Sequence, residues 1–88
     1  MPWKISTRKP RSEAVMPPSA ENKWETFKAK VNSGMHPRQA AEEAGDMNYT
    51  KLRGADQYEV RLSGKHRATF QVDETNEEVI VLEVGGHT

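Results

Sequence analysis

The sequence predicts an α+β fold: an N-terminal strand and two helices packed on a C-terminal antiparallel β-sheet. Three observations predict it. Apolar side chains recur at helical spacing between residues 19 and 45. From Tyr58 onward they alternate with polar ones, the period of a half-buried strand. Finally, 88 residues leave room for one thin core, so both patterns must serve the same domain. Residues 1–18 then form a basic arm with a short strand and a connector, 19–45 the helices, and 52–88 a β-meander.

At the N-terminus, Trp3 and Ile5 alternate with polar neighbours and suggest a strand near residues 3–7. Lys4, Arg8, Lys9 and Arg11 precede the first acid, Glu13. That arm suits contact with phosphates, but it reads more readily as a soluble, partly frayed terminus. No apolar region follows it, so it does not read as a signal peptide. Residues 16–19, Met-Pro-Pro-Ser, read as a connector with Ser19 as the helix N-cap. The first helix should cover residues 20–32, with Trp24, Phe27 and Val31 on one stripe. Ser33 and Gly34 end it, the glycine suiting a left-handed C-terminal position. Pro37 opens a second, shorter helix that shows Ala40, Ala41 and Ala44 on one face and closes at Gly45. Residues 46–49 read as a loop.

The last third divides into three antiparallel strands. Tyr58, Val60 and Leu62 alternate with Glu59 and Arg61; His66, Ala68, Phe70 and Val72 alternate with Lys65, Arg67, Thr69 and Gln71. A three-residue loop, Leu62-Ser63-Gly64, keeps apolar and polar residues on separate faces, since a one-residue slip would invert every side chain. It pairs Arg61 with Lys65 and Glu59 with Arg67. For the third strand, setting Val72 against Ile80, Phe70 against Leu82 and Ala68 against Val84 aligns the apolar residues and leaves Val79 and Val81 on the polar face. Arg67 then lies opposite Gly85, and Lys65 opposite His87. Glu59, Arg61, Lys65, Arg67 and His87 are thereby expected on one surface at one end of the sheet. Three cations beside a titratable imidazole form the one constellation in the sequence that suits chemistry, although alternating charges also describe an ordinary solvated sheet face.

Composition narrows the function. Thirteen Lys and Arg offset thirteen Asp and Glu, so the formal net charge is +0 and bulk attraction to nucleic acid or membrane is not indicated. The charges are uneven: residues 1–50 carry eight basic and six acidic side chains, residues 51–88 five and seven. Without cysteine there is no disulfide, thiolate nucleophile or cysteine-bound zinc, which favours a cytoplasmic protein. The longest apolar run, residues 79–82, is far short of a membrane span. His36, His66 and His87 lack metal-ligand spacing, so neither metal nor other cofactor is expected.

Leu52-Arg53-Gly54, then Tyr58-Glu59-Val60-Arg61-Leu62-Ser63-Gly64-Lys65-His66-Arg67-Ala68-Thr69-Phe70-Gln71-Val72-Asp73, then Val79-Ile80-Val81-Leu82-Glu83-Val84-Gly85-Gly86-His87 resembles the RelE/ParE toxin superfamily. The likeness covers residues 52–88; residues 1–51 fit more loosely. It implies the toxin of a bacterial type II toxin–antitoxin pair, of the kind associated with plasmid stabilisation. Such a protein is a ribosome-dependent, metal-independent mRNA endonuclease that inhibits translation. Its partners would be a cognate antitoxin and mRNA on the ribosome, with DNA reached only through the antitoxin complex and no membrane. The resemblance makes Arg67 the arginine that stabilises the transferring phosphate, Arg61 a second cation, His87 a C-terminal catalytic group and Glu59 a possible base. Lys65, Arg53 and Lys51 would bind substrate. The chain departs from the pattern in its neutral charge, in His66 before the arginine, and in Thr88 where some members carry a tyrosine.

Two other functions fit the same features. One is ParE-like inhibition of DNA gyrase through protein binding. The other is an inactive member serving as a binding or regulatory module. In the second case the 34–45 segment, as half of a helix-turn-helix, or the basic arm would contact DNA, although no recognition helix is read after the segment.

Overall fold

The computed structural model describes residues 3–6, 12–13, 15–45, 47–52, 56–63 and 66–86. In chain order its elements are β1 (Lys4–Ile5), β2 (Ser12–Glu13), α1 (Pro18–Asn32), α2 (Pro37–Glu43), β3 (Thr50–Lys51), β4 (Gln57–Arg61), β5 (Arg67–Asp73) and β6 (Glu78–Gly86). The fold is α+β. Its mixed sheet runs β1-β6-β5-β4-β3, and β2 joins β1 on the outer edge of β6. Strands β3 to β6 pair antiparallel, as alternation predicts, whereas β1 and β2 both run parallel to β6.

Helix α1 begins two residues earlier than expected, and Ser19 is not its cap. Pro17 takes the extended N-cap conformation and no side chain caps this end. Pro18 occupies the first helical position, where its missing N–H costs nothing and its fixed φ already suits a helix. The C-terminal end agrees with expectation: Gly34 has φ +111° and its N–H donates to the Val31 carbonyl. The predicted stripe is buried, with Trp24 stacked on Phe27 and Phe27 against Phe70 of β5, both ring pairs 5.5 Å apart. On α2, Ala40 and Ala41 are buried and Ala44 is the C-cap.

Residues 47–49 are irregular, yet Met47 is buried and its carbonyl accepts from the Arg61 N–H. Strand β3 follows, where the sequence had suggested no strand; two residues are too few to show a period. The N-terminal strand is confirmed at Lys4–Ile5, and the Asn32 side chain ties it to the end of α1 by accepting from the Ile5 N–H at 2.9 Å. The second edge strand, β2, was not expected. Arg8, Lys9 and Arg11 lie outside the described residues.

Two register expectations are corrected. Between β4 and β5 the partners are Arg61↔Arg67, Val60↔Ala68, Glu59↔Thr69 and Tyr58↔Phe70. Leu62 N–H donates to the His66 carbonyl, so the hairpin closes at Leu62 and His66, one position later than the expected Arg61 and Lys65. Ser63 favours this closure, because its hydroxyl meets His66 Nδ1 at 2.8 Å and accepts from the His66 N–H. The shift is even, so both faces keep their residues. Between β5 and β6, Ala68↔Val84 holds, but Phe70 pairs with Val81, Val72 with Val79 and Arg67 with Gly86. Leu82 and Gly85 are the extra residues at two irregularities, and Gly85 adopts φ +81°. Val79 and Val81 are therefore in the core beside Val84, not on the polar face, while Ile80 and Leu82 are only partly covered.

Candidate functional site

The helices cover one face of the sheet, through Phe27 on Phe70. The polar alternates of β4 and β5 project from the other: Glu59 and Arg61, then Arg67, Thr69 and Gln71. Glu83 of β6, opposite Thr69, and Ile80, opposite Gln71, complete this open face.

Arg61 and Arg67 are direct cross-strand partners, which places two guanidinium-bearing side chains side by side. Like charges so placed repel. Glu59 relieves this by reaching diagonally to Arg67, with Arg67 Nη1 donating to Glu59 Oε1 at 2.8 Å. The pair is largely covered, its side chains 27% and 20% exposed respectively. Arg61 is exposed and forms no ion pair among the described residues. Arg67 Nε is buried and has no hydrogen-bond partner among them. The contact to Glu59 is thus single-pointed, and among the described residues it does not engage the guanidinium fork as a two-pronged pair would.

Of the residues the sequence singles out, Glu59, Arg61 and Arg67 come together. Lys51 does not join them. It is the register partner of Tyr58, whose side belongs to the helix-covered face, so Lys51 lies across the sheet from Arg67. Lys65, Arg53 and His87 lie outside the described residues. Among the described residues no group of three His, Asp or Glu is placed to hold a metal ion. None of their helices is long and apolar enough to cross a membrane.

A second polar cluster, which sequence reasoning missed, lies on the helix side. A cleft of about 550 Å³ is lined by His36, Arg38, Gln39, Glu42, Tyr49, Tyr58 and Glu74. His36 caps α2, its Nδ1 accepting from the Arg38 N–H at 3.0 Å. With Nδ1 an acceptor, Nε2 carries the proton of the neutral ring and donates to Glu74 Oε2 at 3.2 Å. Trp3 packs edge-on against the same ring at 4.7 Å. Tyr49 stacks on Tyr58 at 4.9 Å with the Arg38 guanidinium 5.7 Å from its ring centre. Burial, then the neighbouring Tyr58, push the Tyr49 hydroxyl well above the ordinary tyrosine range, so it remains protonated; Arg38 opposes the shift only in part. The one local signal was His36 directly before Pro37, the position of an N-cap.

No protein-family model and no curated protein matches the chain.

Proposed function

We propose that the protein is a ribosome-dependent mRNA endonuclease of the RelE/ParE kind, the toxin of a type II toxin–antitoxin pair acting in the cytoplasm. The observation that carries the proposal is the pairing of Arg61 with Arg67 on the face of the sheet away from the helices. Cleavage of this type forms a bond from a ribose 2′ oxygen to the adjacent phosphorus and breaks the bond to the 5′ oxygen. Negative charge grows on the phosphoryl oxygens in between, and preorganised cations lower that barrier. Arg67 takes the phosphoryl oxygens and Arg61 the flanking backbone. The His87 imidazole is assigned the proton transfer, while Lys65 and Arg53 supply further phosphate contacts. A cognate antitoxin would be the protein partner.

Two features support this reading. Arg67 is largely covered yet donates a single side-chain hydrogen bond among the described residues, and the arginine pair sits on strands of a sheet, not on loops. The deciding experiment is induction of the protein in cells with mRNA ends mapped by primer extension. New ends within translated codons are expected, and they should vanish in Arg67→Ala and His87→Ala variants. Intact messages alongside inhibited gyrase supercoiling by the purified protein would replace the proposal with the gyrase reading.

A further inference from the structure

The Glu59–Arg67 contact is not what a plain structural ion pair or an open phosphate site would look like. Carboxylate and guanidinium match as two parallel hydrogen bonds, yet here one is formed, Nη1 to Oε1. The cost of this posture is visible on the same side chain, because Nε is buried and unpartnered among the described residues. Buried donors normally find a partner, and an exception calls for an explanation. Arg67 is therefore drawn back against the sheet toward Glu59, with its Nε edge turned away from solvent. Thr69, which stands opposite Glu59 and next on the same face of β5, is uncharged and offers Arg67 no competing carboxylate. Arg61, the remaining guanidinium, is exposed and forms no ion pair among the described residues, so it is the more open of the two to an anion.

We propose that Glu59 is a gate on the Arg67 phosphate site: it holds the guanidinium withdrawn, and an RNA phosphodiester captured at Arg61 displaces it. On this view Glu59 is a positioning residue and not the proton acceptor. The inference rests on the RNA-cleavage reading for its ligand. An incoming phosphodiester exchanges the single Nη1–Oε1 bond for a two-pronged contact and brings Nε a partner, so the swap favours the ligand-bound posture. Without phosphate, the gate keeps two adjacent guanidiniums from facing solvent uncompensated.

The probe is a short single-stranded RNA with 2′-O-methyl riboses, which binds but cannot be cut through a 2′-hydroxyl. Glu59→Gln keeps the shape and removes the competing charge. Its affinity for this RNA is expected to rise about fivefold, the upper end for a part-covered ion pair. In an Arg67→Ala background the same substitution should give a markedly smaller gain, because general charge removal is all that remains. An unchanged or weakened affinity in Glu59→Gln, or an equal gain in both backgrounds, overturns the gate. A second measurement needs no variant: titrating the wild-type protein with inorganic phosphate while following the Arg67 Nε–H and Glu59 carboxylate NMR signals. Both should move together; movement of the arginine signal alone overturns the gate. Failure of the underlying reading looks different, as Arg67→Ala would then bind the RNA as well as wild type does.

Discussion

The two faces of β5 follow different rules although they share a backbone. On the covered face, Ala68, Phe70 and Val72 are 0 to 2% exposed and meet Val84, Val81, Val79 and Phe27. On the other face, Arg67, Thr69 and Gln71 are only partly covered, and the ion pair from Arg67 to Glu59 is the contact that marks it. The first face makes the domain fold, because burying apolar area is the dominant favourable term in folding. The second contributes little to stability, since part-exposed ion pairs are worth under about 1 kcal/mol. Its residues are thus free to be chosen for chemistry, and a residue there that bears an unsatisfied donor is informative in a way that a buried valine is not.

This contrast can be broken from either side. The largest effect is expected from Phe70→Ala, which empties the centre of the covered face. Urea unfolding should show a loss of about 3–5 kcal/mol, a large share of the stability a small domain possesses. Next comes Arg67→Ala on the other face. RNA cleavage should slow by about 10²-fold, as for loss of one preorganised donor, while urea stability changes by less than about 1 kcal/mol. A comparable drop in stability from both substitutions would erase the distinction between the faces.

His36→Ala tests the helix side. It removes the cap of α2 and should cost about 1 kcal/mol in urea unfolding, with His36→Asn recovering most of it. The smallest effect concerns the turn between β5 and β6. Asn76 donates to Asp73 from its side chain and its backbone N–H, which holds the Asp73 carboxyl below its usual range. A carboxyl depressed in the folded state adds stability that is present above its unfolded pKa and lost as pH falls through the folded one. Asn76→Ala should therefore raise the Asp73 titration midpoint read by NMR. The stability difference between variant and wild type should be present near neutrality and fade on acidification.

How much of this was legible depends on how cleanly each segment alternates. Residues 58–62 and 66–72 alternate strictly, so their faces were read correctly even though the hairpin closes one residue later than expected. An error of two in register changes neighbours without changing sides, which is why Glu59 still reaches Arg67, though diagonally. Residues 79–84 offer four apolar side chains in a row before Glu83, and nothing local says which two face inward. The choice falls to packing: Val79 and Val81 meet Val72 and Phe70, and the irregularity at Leu82 resets the phase so that Val84 also points in. Strands β2 and β3 are too short to carry a pattern. The His36 cluster was invisible because Glu74 and Tyr58 come from distant positions, and no spacing rule links them to a helix cap.

The twin parallel pairings on β6 have a consequence for how the molecule is made. Lys4 lies opposite Glu78 and Glu13 opposite Val84, so each parallel pairing joins residues far apart along the chain. Closing so long a loop is slow compared with winding the two helices or zipping adjacent hairpins. The helices and hairpins can form first, while the β6 margin of the sheet stays unsealed until β1 and β2 dock. Folding should accordingly be limited by this docking, and changes at Ile5 or Asn32, which fasten it, should act chiefly on the folding rate.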